Sequence, residues 1–275
     1  MKPGKKIKYL ITILKEIREI NALVNPHMIQ ADLFENLPRI FYNDKYFVSY
    51  PTDKKIKKFY FLIKKQIRRK ITQDHLNCLF DIKKRYLYST AKDPVSEGKY
   101  YGIKEGDIVF EVGAYTGIFA IKAAELCEKK GKVIAIEAIP ENYRLLEINV
   151  TLNNIEHILP LNVAIYKEKG FIDIYRNSKQ LNSINKNVVS SKDALRIPCD
   201  TIDNIFEEYQ LKKVDFIRIQ INGAEEEAIQ GMNNVLKYKP KLLIATPYIN
   251  SQNIIDILSR YGYRFRFKNN NLFAY

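Results

Sequence analysis

The chain has 275 residues, enough to bury a full core and leave room for one smaller attachment. Its 45 lysines and arginines outnumber 31 acids, and its 3 scattered cysteines do not suit a disulfide frame or a metal site. The longest uncharged apolar runs fall far short of the roughly 20 residues of a membrane span. With no signal-peptide cleavage pattern either, a cytoplasmic setting with reduced thiols is expected.

The charge is unevenly spread. Residues 1–100 hold 22 Lys+Arg against 10 Asp+Glu, whereas residues 101–275 hold 23 against 21. The basic excess therefore belongs to the first part, expected as a segment of residues 1–92 with a hinge at Asp93–Gly98. Such asymmetry suits an anionic partner: RNA, a phosphorylated substrate or a lipid surface. Solubility in a lysine-rich chain is the competing explanation.

In chain order, Ile7, Leu10, Ile11, Leu14, Ile17, Ile20, Leu23 and Val24 follow a helical period that Asn25-Pro26 ends. Arg39–Tyr42 and Lys45–Tyr50 read as two strands around an Asn43-Asp44 turn. Lys54–Ile71 reads as a helix, with Ile56, Phe59, Tyr60, Ile63, Ile67 and Ile71 on one face. Nine Lys or Arg and no acid occupy other positions, including Lys64, Lys65, Arg68 and Arg69. That face either grips phosphates or rests in water beside a docked apolar stripe.

From Ile108 the pattern changes. Ile108–Val112 is a short apolar run that stops at Gly113, as a buried parallel strand does before a tight turn. Gly117 closes the turn, Ile118–Cys127 follows a helical period, and Lys132–Ile136 is a second strand ending on Glu137. This order of strand, glycine turn, helix, strand and acid is the front half of a nucleotide-binding doubly wound sheet. Pro140–Asn153 then reads as a helix opened by proline, and Ile158–Ile165 as a third strand. Gly170–Tyr175 is strand-like, Asp200–Gln210 helical, and Val214–Ile221 a fourth core strand. A helix after Gly223 carries Glu225, Glu226 and Glu227 in its first turn, where acids suit the helix dipole. Lys241–Ala245 is a fifth strand, Gln252–Tyr261 a helix, and Tyr263–Phe267 with Leu272–Tyr275 a closing hairpin.

The turn itself distinguishes ligands. A glycine turn lets backbone N–H groups approach a ligand, and an acid at the next strand tip can accept from two ribose hydroxyls. A dinucleotide site needs a further glycine to clear the pyrophosphate, and here Tyr115 takes that place. Glu111, two residues before Gly113, suits an ammonium better than a pyrophosphate. Both features favour the methyl donor S-adenosylmethionine over NAD.

Several segments, in order, resemble the FkbM-type methyltransferases: Glu111-Val-Gly-Ala-Tyr-Thr-Gly117, Ile136-Glu-Ala-Ile-Pro-Glu-Asn142, Asn149, Asn162-Val-Ala164, Thr201-Ile-Asp203 and Asp215-Phe-Ile-Arg-Ile-Gln-Ile-Asn-Gly-Ala-Glu225. The resemblance implies an α/β, class I (Rossmann-like), seven-stranded methyltransferase domain over residues 93–275, behind a small basic α+β segment. It also implies methyl transfer from S-adenosyl-L-methionine, commonly to an oxygen. Carried over position by position, the cofactor site is Glu111, Gly113, Ala114, Tyr115, Thr116, Gly117, Glu137, Ala138, Asn142, Val163, Ala164 and Gln220. Tyr115 covers the cofactor or plugs the turn, and Ala164 lies where adenine packs. The chain departs from the family pattern where Gln220 and Asn222 replace two acids.

No catalytic base can be named. Gln220 and Asn222 can orient a ligand but cannot take a proton. His157 opens the third strand at the wrong end of the sheet, and His27 and His75 lie in the basic segment. Tyr248, after Thr246-Pro247, lines the cleft or packs beside the proline. Three functions stay open: O-methylation of a small molecule or glycan, methylation of RNA, and binding without turnover.

Overall fold

The computed structural model describes residues 30–34, 37–42, 45–48, 102–176, 182–183, 194–246, 251–268 and 270–275. The chain forms two compact units, Met1–Asp81 and Ile82–Tyr275. In the first, β1 (Gln30–Phe34), β2 (Leu37–Tyr42) and β3 (Lys45–Val48) form an antiparallel sheet in that order. The expected pair of strands is present, and β1 is an addition that its short, mixed sequence did not announce. The helices expected at 5–24 and 54–71, the Asn43-Asp44 turn and the 93–98 hinge lie outside the described residues.

The second unit is built on a sheet of seven strands. β4 (Ile108–Val112), β5 (Lys132–Ile136) and β6 (Ile158–Leu161) run parallel to one side. β11 (Phe216–Ile219) and β12 (Lys241–Ala245) run parallel to the other. β14 (Asn271–Ala274) pairs antiparallel with both β12 and β13 (Phe265–Lys268). The full order is β13-β14-β12-β11-β4-β5-β6, as the class I expectation requires. Because β5 and β6 lie to one side of β4 and β11 and β12 to the other, the winding reverses between β4 and β11. Ligands of open α/β sheets bind at the carboxyl ends of the strands at such a reversal.

The central strands read as unbroken apolar runs because both sheet faces are covered. Val109, Phe110, Val133, Ile134, Ile217 and Ile219 are fully buried, each side chain contributing about 1.5–3 kcal/mol on removal from water. α1 (Ile118–Cys127) is buried along most of its length, with Phe119 stacked 6.4 Å from Phe216. α2 (Pro140–Leu152) starts on a proline, whose missing N–H costs nothing in a first turn. α3 (Ile202–Glu208) is capped by Thr201, whose Oγ1 accepts from Asn204 N–H at 3.0 Å. α4 (Glu225–Gln230) follows β11, and α5 (Gln252–Ser259) follows β12.

Two expectations need correction. The single strand expected over Ile158–Ile165 is two: β6 stays in the main sheet, and β7 (Ala164–Ile165) joins a second, four-stranded sheet. The break falls at Asn162, whose Nδ2 donates to the Glu137 and Ala138 carbonyls at 2.8 and 3.1 Å and turns the chain aside. The second sheet also contains β8 (Gly170–Arg176), β9 (Asn182–Ser183) and β10 (Ala194–Asp200). The helix expected from Asp200 therefore begins two residues later, because Asp200 ends β10.

Candidate functional site

The carboxyl ends of β4, β5 and β11 converge on the turn from Gly113 to Gly117. Gly113 has φ +87°, and a Cβ on it would lie 2.1 Å from the Gln220 carbonyl oxygen. Only glycine fits there. Gly113 N–H and Ala114 N–H both donate to the Ile136 carbonyl at 2.9 Å, while Gln220 N–H donates to the Val112 carbonyl. Gly117, at φ +78°, packs so closely on Leu146 of α2 that a Cβ would meet its Cδ1 at 2.4 Å. Asn149 of α2, fully buried, donates to the Thr116 carbonyl at 2.7 Å. The turn is thus fixed to β5, β11 and α2.

Tyr115 is the strained member. Its φ of +54° is left-handed, a region that a bulky L-residue enters at a cost of about 1–2 kcal/mol. Its ring is nevertheless buried at 7% exposure, and its N–H donates to Glu137 Oε2 at 2.8 Å. Glu137 stands at the tip of β5 and is itself buried. Its Oε1 accepts from Ile139 N–H at 3.0 Å and from Asn142 Nδ2 at 3.2 Å. The carboxylate expected to take ribose hydroxyls therefore also holds the turn and the start of α2.

A second polar group crosses from β4 to β11. Arg218 faces Glu111 in the parallel register, and its Nη1 donates to Glu111 Oε1 at 2.8 Å. Nη2 donates to Gln220 Oε1, and the guanidinium carbon lies 4.7 Å from the centre of the Phe119 ring. Glu111 is only 1% exposed, so its charge is compensated inside the protein by Arg218. The pairing changes the reading of Glu111, which meets an internal guanidinium where a ligand ammonium was expected. Sequence reasoning missed Arg218. The available signal was a charged residue inside each of two central strands, each next to last in its strand.

The loop after β11 is held by Glu225. Oε1 accepts from Ile221 N–H at 3.2 Å and Oε2 from Gly223 N–H at 2.8 Å. Burial pushes this carboxyl above its ordinary pKa, against the opposing pull of the backbone N–H groups. Of the three acids in the first turn of α4, Glu225 is the buried one and does more than complement the helix dipole.

The structure brings Gly113, Ala114, Tyr115, Thr116, Gly117, Glu137, Ala138, Asn142 and Gln220 to one edge of the sheet. Val163 is half-buried beside this edge. Ala164 is buried with Ile139, Ile174, Ile197 and Cys199, where the second sheet packs against the start of α2. His157 sits at the opposite edge, its Nε2 2.9 Å from the Ala124 carbonyl. Tyr248, Pro247, His27 and His75 lie outside the described residues.

The profile of the Methyltransferase FkbM domain matches residues 111–265, more than half of the chain. The hexuronic acid methyltransferase AglP of Haloferax volcanii is 25% identical over 135 residues, 49% of this chain and 53% of that protein. The chain thus spans about half the length of this curated relative. Methyltransferase FkbM from Methylobacillus flagellatus aligns at TM-score 0.47 and 16% identity, covering 83% of this chain and 62% of that one. A SAM dependent methyltransferase from Aquifex aeolicus aligns at TM-score 0.41 and 16% identity, covering 71% and 96%. The domain match decides the assignment: the chain belongs to the FkbM methyltransferase domain family.

Proposed function

We propose that this protein is an S-adenosylmethionine-dependent O-methyltransferase acting on a small molecule or glycan. The observation that carries the reading is the Tyr115–Glu137 hydrogen bond. It holds a glycine turn and a buried acid together at the carboxyl edge where the sheet reverses. The residues fit the cofactor. Backbone from Gly113 to Gly117 passes close to the β11 end without a Cβ at Gly113, and Glu137 can accept from ribose hydroxyls. Ala138, Val163 and Ala164 would supply the apolar contacts to adenine, and Asn142 steadies Glu137. When bound, the cofactor supplies an electrophilic methyl group on a sulfonium. The chain's own contribution is then to bind, orient and exclude water, because in-line displacement depends largely on positioning.

Family membership supports methyl transfer, and the hexuronic acid in the relative's name is consistent with a glycan acceptor. Among the described residues no helix is long and apolar enough to cross a membrane. Free, buried Cys127 and Cys199 support a cytoplasmic setting. A screen of labelled-methyl transfer from S-adenosylmethionine to sugars, sugar acids and RNA tests the reading. Transfer to a sugar or sugar acid is expected; transfer to RNA alone, or no binding of the cofactor, would sink it.

A second reading, methylation of RNA, rests on the basic excess of residues 1–92; the helix expected at 54–71 lies outside the described residues. If those charges grip phosphates, polyanion binding falls steeply with salt. Replacing Lys64, Lys65, Arg68 and Arg69 by glutamine should then flatten the slope. Identical behaviour of variant and wild type toward RNA and anionic vesicles removes this reading.

A further inference from the structure

Arg218 settles which end of Gln220 a ligand meets. A guanidinium has donors only, so the Gln220 atom facing Nη2 is the carbonyl oxygen. The amide NH2 is turned away from Arg218 and has no hydrogen-bond partner among the described residues. An acid at this position, as the family pattern has it, would be an acceptor. Here the side-chain acceptor is consumed by Arg218 and the exposed end of the side chain is a donor. A donor at the carboxyl end of β11 selects a ligand that accepts.

The carboxylates at this edge point the same way. A hydroxyl acceptor needs a group to take its proton. Glu111 is sealed against Arg218, Glu137 holds Tyr115 and Ile139, and Glu225 holds Ile221 and Gly223. All three of these carboxylates are committed to holding the fold. A carboxylate acceptor arrives already ionised and needs no base.

We propose, on the basis of the methyl-transfer reading, that the methyl acceptor is a carboxylate and the product a methyl ester. One carboxylate oxygen attacks the sulfonium methyl carbon, forming the O–CH3 bond as the C–S bond breaks. The bonding pair passes to sulfur, leaving S-adenosylhomocysteine, and no proton is released. Gln220 NH2 donates to the other oxygen, which becomes the ester carbonyl. A neutral donor suits this reaction. The acceptor loses its negative charge in the transition state, so a cationic partner would stabilise the ground state more and slow the step. Arg218 can set the polarity of Gln220 without opposing the reaction because Glu111 neutralises it.

Three measurements test this. Calorimetry first establishes whether wild type binds S-adenosylmethionine; no binding removes the methyl-transfer reading and this proposal together. Labelled methyl is then offered with D-glucuronate, D-galacturonate and oligogalacturonate, beside glucose and galactose as neutral counterparts. Label is expected on the acids and should be released as volatile methanol by mild alkali, which cleaves esters but not ethers. Alkali-stable label overturns the proposal and leaves methyl transfer standing, as does protein that binds the cofactor yet labels none of these acids. Finally, Gln220→Glu replaces the donor by an acceptor. KM for the acid should rise about tenfold or more, the scale of one lost hydrogen bond to a charged group, and by a larger factor than any loss of cofactor affinity. A loss of cofactor affinity with KM unmoved would mean that Gln220 reads the methionine carboxylate, and would overturn the proposal.

Discussion

Tyr115 N–H donates to Glu137 Oε2 at 2.8 Å, joining the turn after β4 to the tip of β5 across 22 residues of sequence. The bond lets a buried acid compensate a tyrosine held at φ +54°. It also makes Glu137 a structural residue as well as a candidate ribose ligand.

The closest backbone approach predicts the most damaging small substitution. In Gly113→Ala the new Cβ would overlap the Gln220 carbonyl oxygen at 2.1 Å, at a φ that alanine resists. The loss should reach about 2–4 kcal/mol, in the range of the worst single substitutions. Chemical denaturation of both proteins measures it, and a loss near zero would show that the turn is not fixed to β11.

Asn149 offers a milder probe of the same turn. Asn149→Ala removes a fully buried donor from the Thr116 carbonyl and should cost about 1–3 kcal/mol. Cofactor affinity should fall with it, since the turn is no longer tied to α2. Equal affinity in calorimetry would place the turn's support elsewhere.

Gln220 cannot titrate, so Gln220→Ala should lower the rate while leaving the shape of the pH–rate profile alone. Loss of the acidic limb in that variant would reveal a base coupled to this position.

Cys127 has no exposed surface, and burial raises its thiol from 9.0 to about 11. The folded state holds its proton longer than the unfolded chain does. Its contribution is therefore fully present below about pH 9 and is lost as pH rises through about 11. Wild type should lose more stability than Cys127→Ala between those values, and Cys127 of the native protein at pH 8 should resist iodoacetamide. Rapid alkylation of native Cys127 would contradict the burial.

Much of this was legible in the sequence because doubly covered strands write themselves as apolar runs. β4, α1, β5 and β12 fall on the residues expected of them. β10 was missed because Arg196 and Pro198 interrupt it, and its pairing with β8 is antiparallel, with Ala194 opposite Tyr175. The split at Asn162 was hidden because its cause is a contact with Glu137 and Ala138, distant in sequence. Arg218 was overlooked for a related reason. Its meaning depends on the register that places it opposite Glu111, and register is a property of two strands.

The most direct test of cofactor binding at this edge is calorimetric titration of S-adenosylmethionine and NAD into wild type and Glu137→Ala, with folding checked by thermal melt. Wild type should bind S-adenosylmethionine and not NAD. The variant should lose about 1.5–3 kcal/mol of that affinity, the scale of hydrogen bonds to a charged group. Unchanged affinity in a folded variant would remove Glu137 from the site, and a wild-type preference for NAD would contradict the account as a whole.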